Sequence, residues 1–254
     1  MRQSGDSLKA VQTRMMVVTL GKIPYDEALQ LQERCHAARR EGRIGDVILL
    51  LEHDPVITFG RSAEAEDLLV PVEELERQGI PVRHVNRGGK ITCHYPGQLV
   101  GYFIVDLEGF GMDIHAFVRS IEETLIRVLA DYGVAGERVR HRTGVWVGND
   151  KVAALGIEVR NRVTLHGFSF NVRDNAGIYS LFIPCGIADR GVTALERLVP
   201  EGRTVDTGEV RKGFTRHWPE VSGKPVAAVL SRKHFESEYL PPLRQANDKE
   251  NEAR

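Results

Sequence analysis

The sequence predicts a single α/β domain in which helices flank a mixed, largely antiparallel sheet. Three observations carry that prediction. A chain of 254 residues with 42% hydrophobic content can bury a sizeable core. Two segments show the apolar stripe of an amphipathic helix. Several strand-like segments follow one another with connections short enough for hairpins, which join antiparallel neighbours. No internal repeat, Gly/Ser linker or break in composition divides the chain. One folded domain is therefore expected over residues 15–235, with a flexible N-terminus over 1–14 and a polar tail over 236–254.

Taken in order, residues 25–40 read as a helix with Ala28, Leu29, Gln32, Cys35 and Ala38 on one side, ending before Gly42. Residues 46–52 read as a strand because of the apolar run from Val47 to Leu51, and 98–106 as another. Over 113–132, Ile114, Phe117, Val118, Ile121, Leu125, Val128 and Leu129 fall on one stripe, with Asp113 placed to cap the start and Gly133 to end it. A hairpin is expected from strands 144–148 and 152–160 around the turn Asn149-Asp150-Lys151. The last strand, 163–172, changes its alternation at His166-Gly167, which predicts a bulge or a close backbone approach.

Composition narrows the function classes. The net charge of -1 gives no global attraction to nucleic acid or anionic membrane. Locally, Arg83, His84, Arg87, Lys90 and His94 form one basic stretch, and Arg138, Arg140, His141 and Arg142 another, either of which suits an acidic partner. No apolar run reaches the roughly 20 residues of a membrane helix, and the first dozen residues lack the apolar centre of a secretory signal. A soluble cytoplasmic protein is expected. Three unevenly spaced cysteines, Cys35, Cys93 and Cys185, do not make a disulfide framework. The spacing of His84, Cys93, His94 and Cys185 matches no metal motif, so neither metal nor cofactor is expected.

A thiolate is the strongest side-chain nucleophile at neutral pH and can carry an acyl group as a thioester. Cys185 lies in Ile183-Pro184-Cys185-Gly186-Ile187, where proline stiffens the turn and glycine removes bulk. Alone, a cysteine in that setting is more often a small buried hydrophobe. Cys35 falls in a core stripe, and Cys93 and His94, as neighbours in a strand, point to opposite faces. Lys151 at a hairpin tip is by itself most often a solvated charge. Were the tip folded over the Cys185 turn, its ammonium would stabilise the thiolate and its amine could exchange a proton. The pair Gly88-Gly89 between Arg87 and Lys90 suits a backbone pressing on an anionic or extended ligand, although paired glycines usually mean a turn.

The segment Arg87-Gly88-Gly89-Lys90-Ile91-Thr92-Cys93-His94-Tyr95-Pro96-Gly97-Gln98 resembles the RGGxxTxHxxGQ signature of the lipoyl(octanoyl) transferases. Four further blocks are similar to that family: His53-Asp54-Pro55-Val56 with Phe59-Gly60-Arg61; Thr143-Gly144-Val145-Trp146-Val147-Gly148 leading to Lys151-Val152-Ala153-Ala154-Leu155-Gly156; Leu165-His166-Gly167-Phe168; and Pro184-Cys185-Gly186-Ile187 with Asp189-Arg190-Gly191-Val192-Thr193. Ordered blocks at matching spacings, from about residue 17 to residue 221, are far more specific than one motif. Cys93 departs from the tyrosine common at its place, and Tyr95 from the glycine, which bears on the pocket wall.

The resemblance implies the biotin and lipoate protein ligase catalytic-domain fold and a transfer of octanoyl from octanoyl-acyl carrier protein to lysines of lipoyl domains. The acceptors it implies are the acyltransferase subunits of 2-oxoacid dehydrogenases and the glycine-cleavage H protein. Cys185 matches the family's acyl-thioester nucleophile and Lys151 the lysine that lowers the thiol's pKa and serves as acid and base. Substrate contacts are implied at Arg87, Gly88, Gly89, Lys90, Ile91, Thr92, Cys93 and His94, at Ala154, Leu155 and Gly156, and at Gly167, Phe168 and Ser169. Apolar residues there suit an eight-carbon tail, whose burial contributes on the order of 5 kcal/mol at about 0.8 per carbon. A monomer is expected, with no nucleic-acid or membrane partner. Two rivals share these features: an ATP-dependent lipoate or biotin ligase, which needs no nucleophilic cysteine, and a non-catalytic binder of acyl carrier or lipoyl domains.

Overall fold

The computed structural model describes residues 15–183 and 190–240. Its strands are β1 (Met15–Lys22), β2 (Val47–Glu52), β3 (Val56–Phe59), β4 (Val82–His84), β5 (Ile91–His94), β6 (Gln98–Ile104), β7 (Glu137–Val139), β8 (Arg142–Val147), β9 (Asp150–Arg160), β10 (Val163–Asn171), β11 (Gly191–Val192) and β12 (Val226–Ser231). Nine of these form one sheet in the spatial order β12-β1-β2-β6-β10-β9-β8-β7, with β11 joined to β9. The β12-β1-β2 end and the β11-β9 pair are parallel, and the remaining pairs are antiparallel. The expected mixed, largely antiparallel sheet is thus present, and β3, β4 and β5 add a separate small sheet.

Strand period places the core. Along β1, Met15 and Val17 face one side of the sheet and Met16, Val18 and Leu20 the other. On β2, Ile48 and Leu50 alternate likewise against Val47, Leu49 and Leu51. Because every position of the apolar run in β2 is buried, both faces of the sheet must be covered. Helices cover them. On one face lie α2 (Ile114–Asp131), through Phe117, Ile121, Leu125, Val128 and Leu129, and α3 (Thr207–Ser222), through Val210, Phe214 and Trp218. On the other lie α1 (Tyr25–Arg40), through Ala28, Leu31, Cys35 and Ala38, and α4 (Arg232–Glu238), through Phe235. Leu31, not the expected Leu29, completes the buried side of α1.

The helix signals act as expected. The Asp113 carboxylate accepts from the Ala116 amide at 2.8 Å, and Gly133 follows α2 at φ 75°, a conformation that costs glycine little. On α1, Asp26 and Glu27 sit in the first turn and Arg39 and Arg40 in the last, matching the helix dipole. Helix α4 crosses the boundary expected at residue 235, and Leu240 beyond it is buried.

One expectation is corrected, and another, left between a bulge and a close approach, is decided. The β8-β9 connection is tighter than read: β9 begins at Asp150, so Lys151 lies within the strand, only 8% exposed, and not at a solvated tip. The break at His166-Gly167 is a close approach, since the β9-β10 register runs without a shift from Val163 to Phe170. A Cβ on Gly167 would collide with the Gly101 carbonyl oxygen. His166 takes φ 62°, and its amide donates to Gln32 Oε1 of α1 at 2.9 Å, which holds this strained residue in place.

Candidate active site

The hairpin of β9 and β10 builds the floor of a cleft of about 1170 Å³. Its register puts Ala154 opposite Ser169, Leu155 opposite Phe168 and Gly156 opposite Gly167, so two sequence blocks far apart in the chain become adjacent rows of one surface. The Arg87–Lys90 loop lies across the end of these rows, where the Gly88 amide donates to the Ile157 carbonyl at 3.3 Å. Only glycine permits this crossing: a Cβ at Gly156 would stand 2.7 Å from the Gly88 carbonyl oxygen. On the facing wall are Ile114, Val118 and Glu122 of α2, together with the loop between β7 and β8.

Of the sequence-predicted contacts, Arg87, Gly88, Gly89, Lys90, Ile91, Thr92, His94, Ala154, Leu155, Gly156, Gly167, Phe168 and Ser169 all border this one cleft, and Lys151 joins them. Cys93 does not. Its position in β5 turns it away from His94 and into the core of the small sheet with Ile57, Tyr95, Ile178 and Phe182. Both departures from the family signature, Cys93 and Tyr95, are therefore packing residues of that small core. Cys185 falls outside the described residues.

Lys151 is a buried cation on this wall. Its Nζ donates to the Thr143 carbonyl at 3.1 Å and lies 4.8 Å from the centre of the Trp146 ring. Arg190 stacks on the same ring at 5.3 Å. From there β11 runs parallel to the start of β9, pairing Gly191 with Asp150 and Val192 with Lys151, and the Thr193 amide donates to the Lys151 carbonyl at 3.0 Å. The Glu122 carboxylate, also buried, accepts from the Gly144 amide at 2.8 Å and pairs with Arg138 at 3.2 Å.

At the inner end stands a polar aromatic group that motif reading touched only at His53, His94 and His166. Tyr25, His94, Tyr102 and His166 line it, and Tyr25 stacks on His94 at 5.8 Å. His53 lies behind, bonded to the Ile23 carbonyl and the Tyr102 hydroxyl, each at 2.8 Å. Burial pushes His53 and His166 down to about 4 and His94 well below its ordinary value, so all three imidazoles are neutral at pH 7. Burial also raises Tyr25 to about 12. Arg87 is held by Thr58, whose carbonyl and hydroxyl accept from Nη2 at 2.7 and 2.8 Å. Lys90 faces Asp67 at 3.0 Å. The signal for Glu122 and Tyr25 was weak: each is a polar residue beside an apolar helical stripe, where a solvated face is the ordinary reading. Among the described residues no group of three or more His, Cys, Asp or Glu side chains is placed to hold a metal ion.

An apolar-floored cleft crossed by a glycine backbone, with a buried lysine beside it, gives this α/β domain room for an extended apolar group. The lipoyl protein ligase A/B catalytic domain model matches residues 24–218, and the chain belongs to that family. It is an acyltransferase within it, similar over most of its length to octanoyltransferases. It is 46% identical over 222 residues to the octanoyltransferase of Caldicellulosiruptor bescii, covering 87% of this chain and 96% of that one. With the octanoyltransferase of Desulforamulus reducens it shares 42% over 209 residues, 82% of this chain and 91% of the other. In structure it resembles a lipoate-protein ligase A bound with ATP, at TM-score 0.68 and 19% identity over 89% of this chain and 91% of that one. The lipoate-binding Ta0514 protein of T. acidophilum is similar at TM-score 0.67 and 18% identity, over 91% of this chain and 97% of that one. These likenesses bear out the lipoate-ligase fold expected from the motifs. Among the described residues, no helix is long and apolar enough to cross a membrane.

Proposed function

We propose that this enzyme moves an octanoyl group from octanoyl-acyl carrier protein onto Cys185 and from there to a lysine of a lipoyl domain. The observation that carries the reading is Lys151, a buried cation on the wall of an otherwise apolar-floored cleft, bonded through β11 to the chain that follows residue 189. Arg190, five places after Cys185 in sequence, shares the Trp146 ring with Lys151.

In the first half-reaction the Cys185 thiolate attacks the donor's thioester carbonyl, forming a C–S bond. The tetrahedral oxyanion collapses, the bond to the pantetheine sulfur breaks, and the departing thiolate takes a proton from the Lys151 ammonium. One thioester replaces another, so no nucleotide has to be spent. In the second, the neutral acceptor amine attacks the Cys185 thioester carbonyl and gives its surplus N–H proton to Lys151 as the C–N bond forms. An amide forms and Cys185 leaves as a thiolate, ready for the next donor. Backbone amides near Gly89, Gly156, Gly167 or Gly186 are the candidates to meet the oxyanion.

The acceptors are the lipoyl domains of 2-oxoacid dehydrogenase acyltransferase subunits and the glycine-cleavage H protein, met by a cytoplasmic, monomeric enzyme. The test is single-turnover transfer to an isolated lipoyl domain, with octanoyl-acyl carrier protein supplied and ATP withheld. Amide formation at the acceptor lysine supports the reading. Transfer only from free octanoate plus ATP would instead make the chain a ligase.

A further inference from the structure

The cleft wall carries more positive charge than its internal pairing uses. Glu122 is its one carboxylate among the described residues, and Arg138 already neutralises it. Lys90 is taken up by Asp67 and Glu64, and Arg138 also reaches Glu123 at 2.8 Å. Two exposed arginines of the wall, Arg119 on α2 and Arg140 in the β7-β8 loop, face no carboxylate within ion-pair distance among the described residues.

Both border the same cleft, and the segments that carry them are joined. The Arg138 guanidinium donates to the Arg119 carbonyl at 3.1 Å, which stitches β7 to α2. Pairing of Val139 with Arg142 leaves Arg140 and His141 as the loop over that stitch, with His141 fixed at φ 62°. His115 and His141 line the same cleft. At about 1170 Å³ the cleft also exceeds the roughly 300–1,000 Å³ that suits an ordinary small ligand. It has room for more than an eight-carbon chain.

We infer that Arg119 and Arg140 form a binding site for the phosphodiester of the donor's 4′-phosphopantetheine arm. This deepens the proposed transfer and rests on it. Guanidinium forks match phosphate oxygens in geometry and charge, and a cleft rim shields such contacts less than open solvent does. The acyl thioester enters toward Lys151 while the phosphate stays at the rim, so the arm is held at both ends. The carrier protein's acidic surface is the other anion that could meet these cations, and arms free of protein separate the two.

The experiment uses full-length enzyme and two carrier-free donors, octanoyl-4′-phosphopantetheine and octanoyl-pantetheine, which differ only in the phosphate. Wild type is expected to prefer the phosphorylated donor in kcat/KM, and Arg119→Gln with Arg140→Gln to shrink that preference on the order of tenfold. Calorimetric titration with the unacylated arms, which needs no transfer, should show tighter binding of 4′-phosphopantetheine than of pantetheine, with the difference lost in the double variant. Equal binding of both arms by wild type overturns the inference, as does a variant that weakens both arms equally or is impaired only with carrier-borne donor. Should wild type discriminate in binding yet transfer from neither donor, the phosphate site stands and the transfer reading fails. Both arginines are exposed, and unchanged thermal unfolding of the variant would verify an intact fold.

Discussion

Replacing Gly156 with alanine adds one methyl group at the point where the glycine loop crosses β9. That Cβ would lie 2.7 Å from the Gly88 carbonyl oxygen and 3.3 Å from Arg87 Cδ, and the first neighbour is backbone, which cannot swing aside. The loop must lift, stretching the Gly88 amide bond to the Ile157 carbonyl, already 3.3 Å. Overpacking of this kind costs about 1–3 kcal/mol, which for a domain of this size lowers Tm by roughly 2–12 °C. Because Gly88, Gly89 and Gly156 all border the cleft, the lifted loop should also raise KM for an octanoyl thioester about tenfold or more. Thermal unfolding followed by circular dichroism, with steady-state transfer assays, reads both quantities. Gly109→Ala is the control: its nearest neighbour, Arg39 Nη2, is 3.7 Å away, and the change should stay within about 0.5 kcal/mol. A Gly156→Ala enzyme matching wild type in both Tm and KM would refute the crossing as the reason for glycine.

Lys151→Met keeps the stem and removes the charge, so it should slow both half-reactions by on the order of 10²–10³ and move the pH profile of Cys185 alkylation upward. Unchanged transfer rates in that variant would remove Lys151 from the chemistry. Phe168→Ala opens a hole beside Phe103 and Phe214 and should cost about 3–5 kcal/mol in urea unfolding, with weaker selection for the octanoyl chain. Stability should also depend on pH through the buried histidines. An unfolded histidine titrates near 6.5, whereas His53 and His166 do so at about 4 in the fold, so between those values the unfolded chain holds more protons. The sign is therefore a loss of stability as pH falls from 6.5 toward 4, at up to about 1.4 kcal/mol per pH unit for each group, and no loss from them above 6.5. Urea unfolding at about pH 5 and about pH 7 measures it, and a flat response, or one that His166→Asn leaves unaltered, would contradict the neutral assignment.

What the sequence made legible follows from which forces are local. Helices α1 and α2 were readable because their apolar spacing, caps and stops lie within one segment, and Asp113 and Gly133 act where they were expected. Lys151 was misplaced because a two-residue turn and a three-residue turn look alike in sequence, while one residue of difference takes a side chain from solvent to a buried wall. The small sheet was missed as a unit because its strands are three or four residues long and its partners lie far apart, Val56–Phe59 pairing with Val82–His84 and Ile91–His94. Such pairings are specified by tertiary packing, not by any local period. The cleft residues came from motif resemblance. Only the β9-β10 register explains why Ala154-Leu155-Gly156 and Gly167-Phe168-Ser169 belong together.

The account stands or falls on a covalent acyl-enzyme. Wild-type protein exposed briefly to octanoyl-acyl carrier protein without acceptor or ATP, then quenched in acid and digested, should yield one octanoylated peptide, carrying the group on Cys185 and releasing it to hydroxylamine. An octanoyl group mapped elsewhere, or undiminished transfer to a lipoyl domain by Cys185→Ala, would contradict it.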